Sequence, residues 1–160
     1  MGQKTILLAE DNRGQEKLFR HALAQSDFEC RLEVVHDGVE LIDFLFATGP
    51  YKDRDQREMP DLILLDLKMP RMDGLQVLQV LRRVRGEGQL RFPPVVVLTC
   101  SESDQDIVDA YRWGAQSYIR KPGSFAEFAH AVRETMQYWL ALNRPAPPAR
   151  IPTPYVHGEL

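Results

Sequence analysis

The sequence predicts one α/β domain, a five-stranded parallel sheet with helices on both faces. Three observations lead there. Short apolar runs recur at residues 5–9, 32–35, 62–65, 95–98 and 118–119. Most of these runs are continuous rather than alternating, the mark of strands covered on both sides. Between them lie stretches whose apolar residues recur at helical spacing. Such a βα alternation implies parallel strands joined by right-handed crossovers.

Each element has its own signal. The first strand is Thr5, Ile6, Leu7, Leu8 and Ala9, ended by Glu10-Asp11. Asn12 can cap the next helix, whose inward positions are Leu18, Phe19, Ala22 and Leu23. A second strand runs over residues 32–35. Asp37, with Glu40 three residues on, resembles a capping box, and Leu41, Ile42, Leu45 and Phe46 face the core from that helix. Thr48-Gly49-Pro50 stops it, and a polar loop follows to Met59, longer than most helix-to-strand connections. Leu62-Ile63-Leu64-Leu65 is the central strand. The turn from Met69 to Gly74 leads to a helix with Val77, Val80, Leu81 and Val84 on one side; Asp73 is its N-cap. Val95-Val96-Val97-Leu98 is another buried strand, followed by a helix carrying Ile107, Ala110 and Tyr111 that Gly114 ends. Tyr118-Ile119 is the last strand. Ser124 and Glu127 open a final helix with Phe125, Phe128, Ala129, Val132, Met136, Trp139 and Leu140 on one face. Beyond Asn143, five prolines from Pro145 to Pro154 predict an extended arm.

Composition narrows the function classes. The chain has 160 residues, room for one full core and little more. Net charge is −3, from 20 basic and 23 acidic residues, so the basic footprint of a nucleic-acid binder is missing. No apolar run approaches the ~20 residues of a membrane span, and the first apolar run is too short for a signal peptide. Cys30 and Cys100 lack metal-ligand spacing and read as free thiols of a reducing cytosol.

Ligands of open α/β sheets bind beyond the carboxyl ends of the strands. Strand one ends in Glu10-Asp11, strand three in Asp66 and strand four in Thr99; Lys121 follows strand five. Three carboxylates, a hydroxyl and an ammonium therefore converge. Crowded carboxylates repel, and a hard divalent cation resolves the repulsion. Mg²⁺ suits a site offering few carboxylates plus water and phosphate oxygens. It would keep Asp66 ionised as a nucleophile, with Lys121 and Thr99 directed at phosphoryl oxygens.

With Glu10-Asp11, Asp66, Thr99 and Lys121-Pro122 on this βα pattern, the sequence resembles the receiver domain of two-component response regulators. The run from Asp66 to Gly74 (DLKMPRMDG) carries the strongest likeness. The resemblance spans residues 4–142, leaving 143–160 as a Pro-rich tail. It implies a flavodoxin-like, doubly wound fold with strand order 2-1-3-4-5 and five helices. It implies phosphotransfer from a phosphohistidine of a sensor kinase onto Asp66. Asp11, Asp66 and the Lys68 backbone carbonyl would bind Mg²⁺, with Glu10 acting through water. Thr99 and Tyr118 would form the switch, and the Lys121–Pro122 bond would be cis. The long loop and the ending Tyr138-Trp139-Leu140 resemble the stand-alone, cytoplasmic regulators paired with bacterial phytochrome kinases. That likeness implies a phytochrome-type kinase partner and a homodimer through the last strand, its flanking helices and the arm.

Other readings fit less well. A phosphatase of the haloacid-dehalogenase type needs a second Asp two residues after its nucleophile, and Lys68 stands there. A flavodoxin-like nucleotide binder needs a Gly-rich loop after strand one, where Glu10-Asp11 stands instead. Trp139, Trp113 and Tyr111 read as core residues.

Overall fold

The computed structural model describes residues 2–86 and 92–145. The predicted arm beyond residue 145 lies outside them. Five parallel strands, β1 (Lys4–Ala9), β2 (Cys30–Val35), β3 (Leu62–Leu65), β4 (Val95–Thr99) and β5 (Ser117–Arg120), form one sheet in the order 2-1-3-4-5. The helices are α1 (Arg13–Ala24), α2 (Gly38–Phe46), α3 (Gly74–Gly86), α4 (Asp104–Arg112) and α5 (Phe125–Met136). Among the described residues, no helix is long and apolar enough to cross a membrane.

Alternation along the strands builds two cores. Leu7, Ala9, Ile63, Leu65, Val95 and Val97 point to one face, where Leu41 and Leu45 of α2, Val77 and Leu81 of α3, and Ala110 of α4 cover them. Ile6, Leu8, Leu62, Leu64, Val96 and Leu98 point to the other, under Phe19 of α1 and Phe128, Val132 and Met136 of α5. Register keeps the strand ends level, with Ala9 beside Leu65 and Thr99 beside Arg120.

The capping signals act much as the sequence suggests. Asn12 Oδ1 accepts from the Gln15 N–H at 3.1 Å, Ser124 Oγ from Glu127 at 3.2 Å, and Asp73 exchanges two bonds with Gln76. At α2 the pattern differs by one residue. Asp37 accepts from the Glu40 N–H, but Glu40 reaches back to the N–H of His36. The end of α2 is also shifted: Ala47, not Gly49, takes the left-handed C-cap position with φ 53°. Residues 48–59, expected as plain loop, begin with a 3₁₀ turn over Gly49–Tyr51.

Three expectations need correction. Leu18 and Tyr111, placed inward by helical spacing, are 40% and 50% exposed. Phe19 and Ala110 are the buried neighbours of these two residues, and one step along a helix turns a side chain about 100° away, toward solvent. Beyond Met136 the last helix continues as a π-helical segment, Gln137–Leu142. Its wider turn carries Tyr138 and Leu142 out to solvent while Trp139 and Leu140 still pack on the core. The Lys121–Pro122 bond is trans, since no described peptide bond is cis. Trans is the intrinsically favoured isomer of an X–Pro bond.

Asp37 ties α2 to the loop after β3. One oxygen caps the helix at 2.8 Å and the other accepts from Arg71 at 2.8 Å. Burial acts to raise its pKa, but these donors outweigh burial and hold it below the ordinary value of 3.8. The resulting stability is present above that ordinary value and lost as pH falls through the lower folded value. Asp37→Ala should lower the unfolding free energy by ~1 kcal/mol at neutral pH, as for other lost N-caps. Urea unfolding of both proteins should show the gap closing as the pH is taken into the acid range.

Candidate functional site: an acidic cleft at the strand ends

The site gathers where β1, β3, β4 and β5 stop. The Asp66 N–H donates to the Ala9 carbonyl at 3.1 Å, and the Lys121 N–H to the Thr99 carbonyl at 2.7 Å. These bonds extend the ladder by one residue, so the polar side chains emerge directly from the sheet edge.

Asp66 is held at both oxygens. Oδ1 accepts from Thr99 Oγ1 at 2.9 Å and from the Lys68 N–H at 3.3 Å. Oδ2 accepts from Lys121 Nζ at 3.2 Å. Lys121 also donates to Glu10 Oε2 at 2.6 Å, while Glu10 Oε1 accepts from the Asn12 N–H at 3.1 Å. Glu10, Asp66, Thr99 and Lys121 are all buried, the Asp66 side chain keeping 12% exposure against 5% for Lys121. Asp11 is exposed beside them. Burial by itself would loosen the Lys121 proton, but Asp66 and Glu10 outweigh it and hold the ammonium above the ordinary lysine value. Burial raises the Glu10 carboxyl, and its bond to Lys121 offsets only part of that effect.

Glu10, Asp11 and Asp66 can each offer one oxygen, all lying within 4.8 Å of one another. Three carboxylates against one ammonium leave two negative charges uncompensated. That balance, and the all-oxygen donor set, fit one hard divalent cation. Asp11 opens onto a cleft of about 440 Å³ that Lys68, Met69, Asp73 and Asp106 also line.

The Asp66 loop is shaped by a close approach. Gly74, the first residue of α3, lies so near the strand end that a Cβ there would sit 2.5 Å from the Asp66 carbonyl and 2.8 Å from Leu67 Cα. Its N–H closes the loop on the Leu67 carbonyl at 2.9 Å. The Tyr118 hydroxyl, half-buried at the edge of the core, donates to the Ser101 carbonyl at 3.2 Å. Burial raises its pKa.

The chain belongs to the response regulator receiver domain family. Residues 6–133 match that family. The "Probable methanogenesis regulatory protein FilR2" of Methanothrix harundinacea is 39% identical over 144 residues, covering 90% of this chain and 88% of that protein. The response regulator Rcp1 of Synechocystis sp. is 31% identical over 137 residues, covering 86% and 89%. Its Mn²⁺-bound crystal structure superposes with a TM-score of 0.76 at 30% identity, over 89% of this chain and 99% of that one. The phosphorylated cyanobacterial phytochrome response regulator RcpA superposes with a TM-score of 0.78 at 33% identity, over 89% and 98%. The flavodoxin-like strand order is that of a receiver domain.

The fold thus brings Glu10, Asp11, Asp66, Thr99 and Lys121 to one edge, with Lys68 at the cleft and Tyr118 two bonds away through Ser101. Sequence reasoning did not single out Asp106. Its signal was present in Ser103 followed by Asp106, a capping pattern that places the carboxylate on the first turn of α4.

Gly74→Ala should push the Asp66 loop off the sheet end. Overpacking of this kind costs about 1–3 kcal/mol. Urea unfolding should show that loss, and amide spectra should show shifts concentrated at Asp66, Leu67 and Lys68.

Proposed function

We propose that this receiver domain is a phosphorylation switch that takes a phosphoryl group onto Asp66 from a phosphohistidine of a sensor kinase. One observation carries the reading. Asp66 alone, of the three clustered carboxylates, has one oxygen on a hydroxyl and the other on an ammonium, and the residues that follow it, Leu67 and Lys68, line the cleft.

Glu10, Asp11, Asp66 and the Lys68 backbone carbonyl hold the metal, Mg²⁺ in our reading. When bound, the metal supplies positive charge that offsets phosphoryl oxygens beside the carboxylates. The Mn²⁺-bound form of Rcp1 supports a divalent ion in this family. Transfer is a displacement at phosphorus. An Asp66 oxygen forms the new O–P bond as the donor's P–N bond breaks, and the leaving imidazole recovers a proton from solvent. Lys121 stays charged and balances one oxygen of the transferred group. Thr99 leaves the carboxylate and donates to another, and Tyr118 turns inward with that movement, which passes the change on to the surface. The receiver unit covers residues 4–142, with 143–160 as its arm.

The partner is a phytochrome-type kinase in the cytoplasm, a reading supported by the likeness to RcpA. Exposed Val108 and Tyr111 on α4, with Tyr138 and Leu142 beyond α5, offer apolar surface for a homodimer.

Incubation with Mg²⁺ and acetyl phosphate should add one phosphoryl group by intact mass. Asp66→Asn should take up none, and chelation of the metal should abolish uptake by the wild type. An unlabelled wild type with every donor, a red-light-responsive kinase included, would falsify the reading. Tyr118→Ala should still be phosphorylated but lose the downstream response. Sedimentation at rising concentration should show a dimer; a constant monomer mass rules the dimer out.

A further inference from the structure

The residue between the phosphoryl-sensing hydroxyl and the switch tyrosine is bound from three directions. The Ser101 N–H donates to Thr99 Oγ1 at 3.3 Å. The Ser101 carbonyl accepts from the Tyr118 hydroxyl at 3.2 Å. The Ser101 hydroxyl donates to Asp106 Oδ2 at 2.5 Å. It also accepts from the Ser103 N–H at 3.3 Å, and Ser103 Oγ in turn accepts from the Asp106 N–H at 3.3 Å. The last two bonds close a small ring that fastens the loop after β4 to the first turn of α4. Asp106 is partly buried and lines the same cleft as Asp11 and Lys68.

We infer that Asp106 is a positioning residue for the switch, holding Ser101 so that movement of Thr99 is transmitted to Tyr118. The inference rests on the proposed phosphorylation of Asp66. Its physical basis is the stiffness of a short connection. Thr99 and Tyr118 contact opposite ends of the same residue, Thr99 at its amide and Tyr118 at its carbonyl. If Ser101 were free to rotate, a shift of the Thr99 hydroxyl would be absorbed by the loop. Anchored through its hydroxyl to α4, Ser101 moves with that helix as one body, and the displacement reaches the tyrosine. The exposed α4 face with Val108 and Tyr111 moves with it. Asp106 needs only to accept a hydrogen bond for this task, so an amide in its place should serve.

The test compares Asp106→Ala, Asp106→Asn and Ser101→Ala with the wild type by NMR of ring-labelled tyrosine, Tyr118 being assigned through Tyr118→Phe. Spectra are taken unmodified and at saturation with Mg²⁺ and beryllofluoride, a phosphoryl mimic. Asp106→Ala and Ser101→Ala should bind the mimic with unchanged affinity but lose most of the Tyr118 shift. Asp106→Asn should restore it, and the double variant Ser101→Ala/Asp106→Ala should be no worse than either single one. A carboxylate serving only the α4 dipole would lower thermal stability in Asp106→Ala and Asp106→Asn alike and leave the Tyr118 shift whole. A full shift in Asp106→Ala, or an Asp106→Asn as defective as the alanine, overturns the inference. Should the wild type bind no mimic, the phosphorylation reading fails by itself. The unmodified spectra then decide: Tyr118 must be displaced in Asp106→Ala and native in Asp106→Asn, and identity of all three overturns the positioning role.

Discussion

Charge has nowhere to sit in the middle of this sheet. From Ile6 to Ala9, Leu62 to Leu65 and Val95 to Leu98 every side chain is apolar and buried, because helices cover both faces. An ionised group placed there would face a desolvation cost with no partner to offset it. The first positions free of that constraint are those where the strands end. Glu10, Asp66 and Thr99 occupy them, and Lys121 closes the row. The packing rule that fixes the fold therefore also fixes where the chemistry stands.

Lys121 then decides how the acidic groups live together. Its ammonium is buried, a position that would ordinarily favour the neutral amine. Two carboxylates at 2.6 and 3.2 Å reverse that preference and keep it charged. In return, the ammonium ties β5 to β1 and β3 across the sheet edge. Asp11 is outside this pair of contacts and exposed, which leaves it as the carboxylate most open to a metal ion.

Much of this was legible in the residues. Apolar runs, most of them continuous, located all five strands, and Asn12, Asp37, Asp73 and Ser124 marked helix starts by a local mechanism that needs no tertiary context. The site residues were legible because their spacing follows from strand ends. What escaped depends on long-range fit. The exposure of Leu18 and Tyr111 is set by how α1 and α4 lie on the sheet, which helical periodicity does not contain. The π-helical turn after Met136 has no distinctive composition. The Asp37–Arg71 pair joins residues on separate loops, and the Ser101–Asp106 bond turns on which way a hydroxyl points. Gly74 was visible as the end of a turn, but no local signal shows that α2 presses at Gly38 against the Met72 carbonyl or α3 at Gly74 against the Asp66 carbonyl.

The Lys121–Glu10 pair spans 111 residues of chain. On the ribosome, where domains fold from the N-terminus as they emerge, β1 to β4 are made before the lysine exists. Until β5 docks, Glu10 and Asp66 face each other without their counter-charge, and the acidic edge resists closing. Assembly of the cleft is thus one of the last events in the life of the nascent chain. A product truncated before residue 121 carries the acids but not the ammonium that organises them.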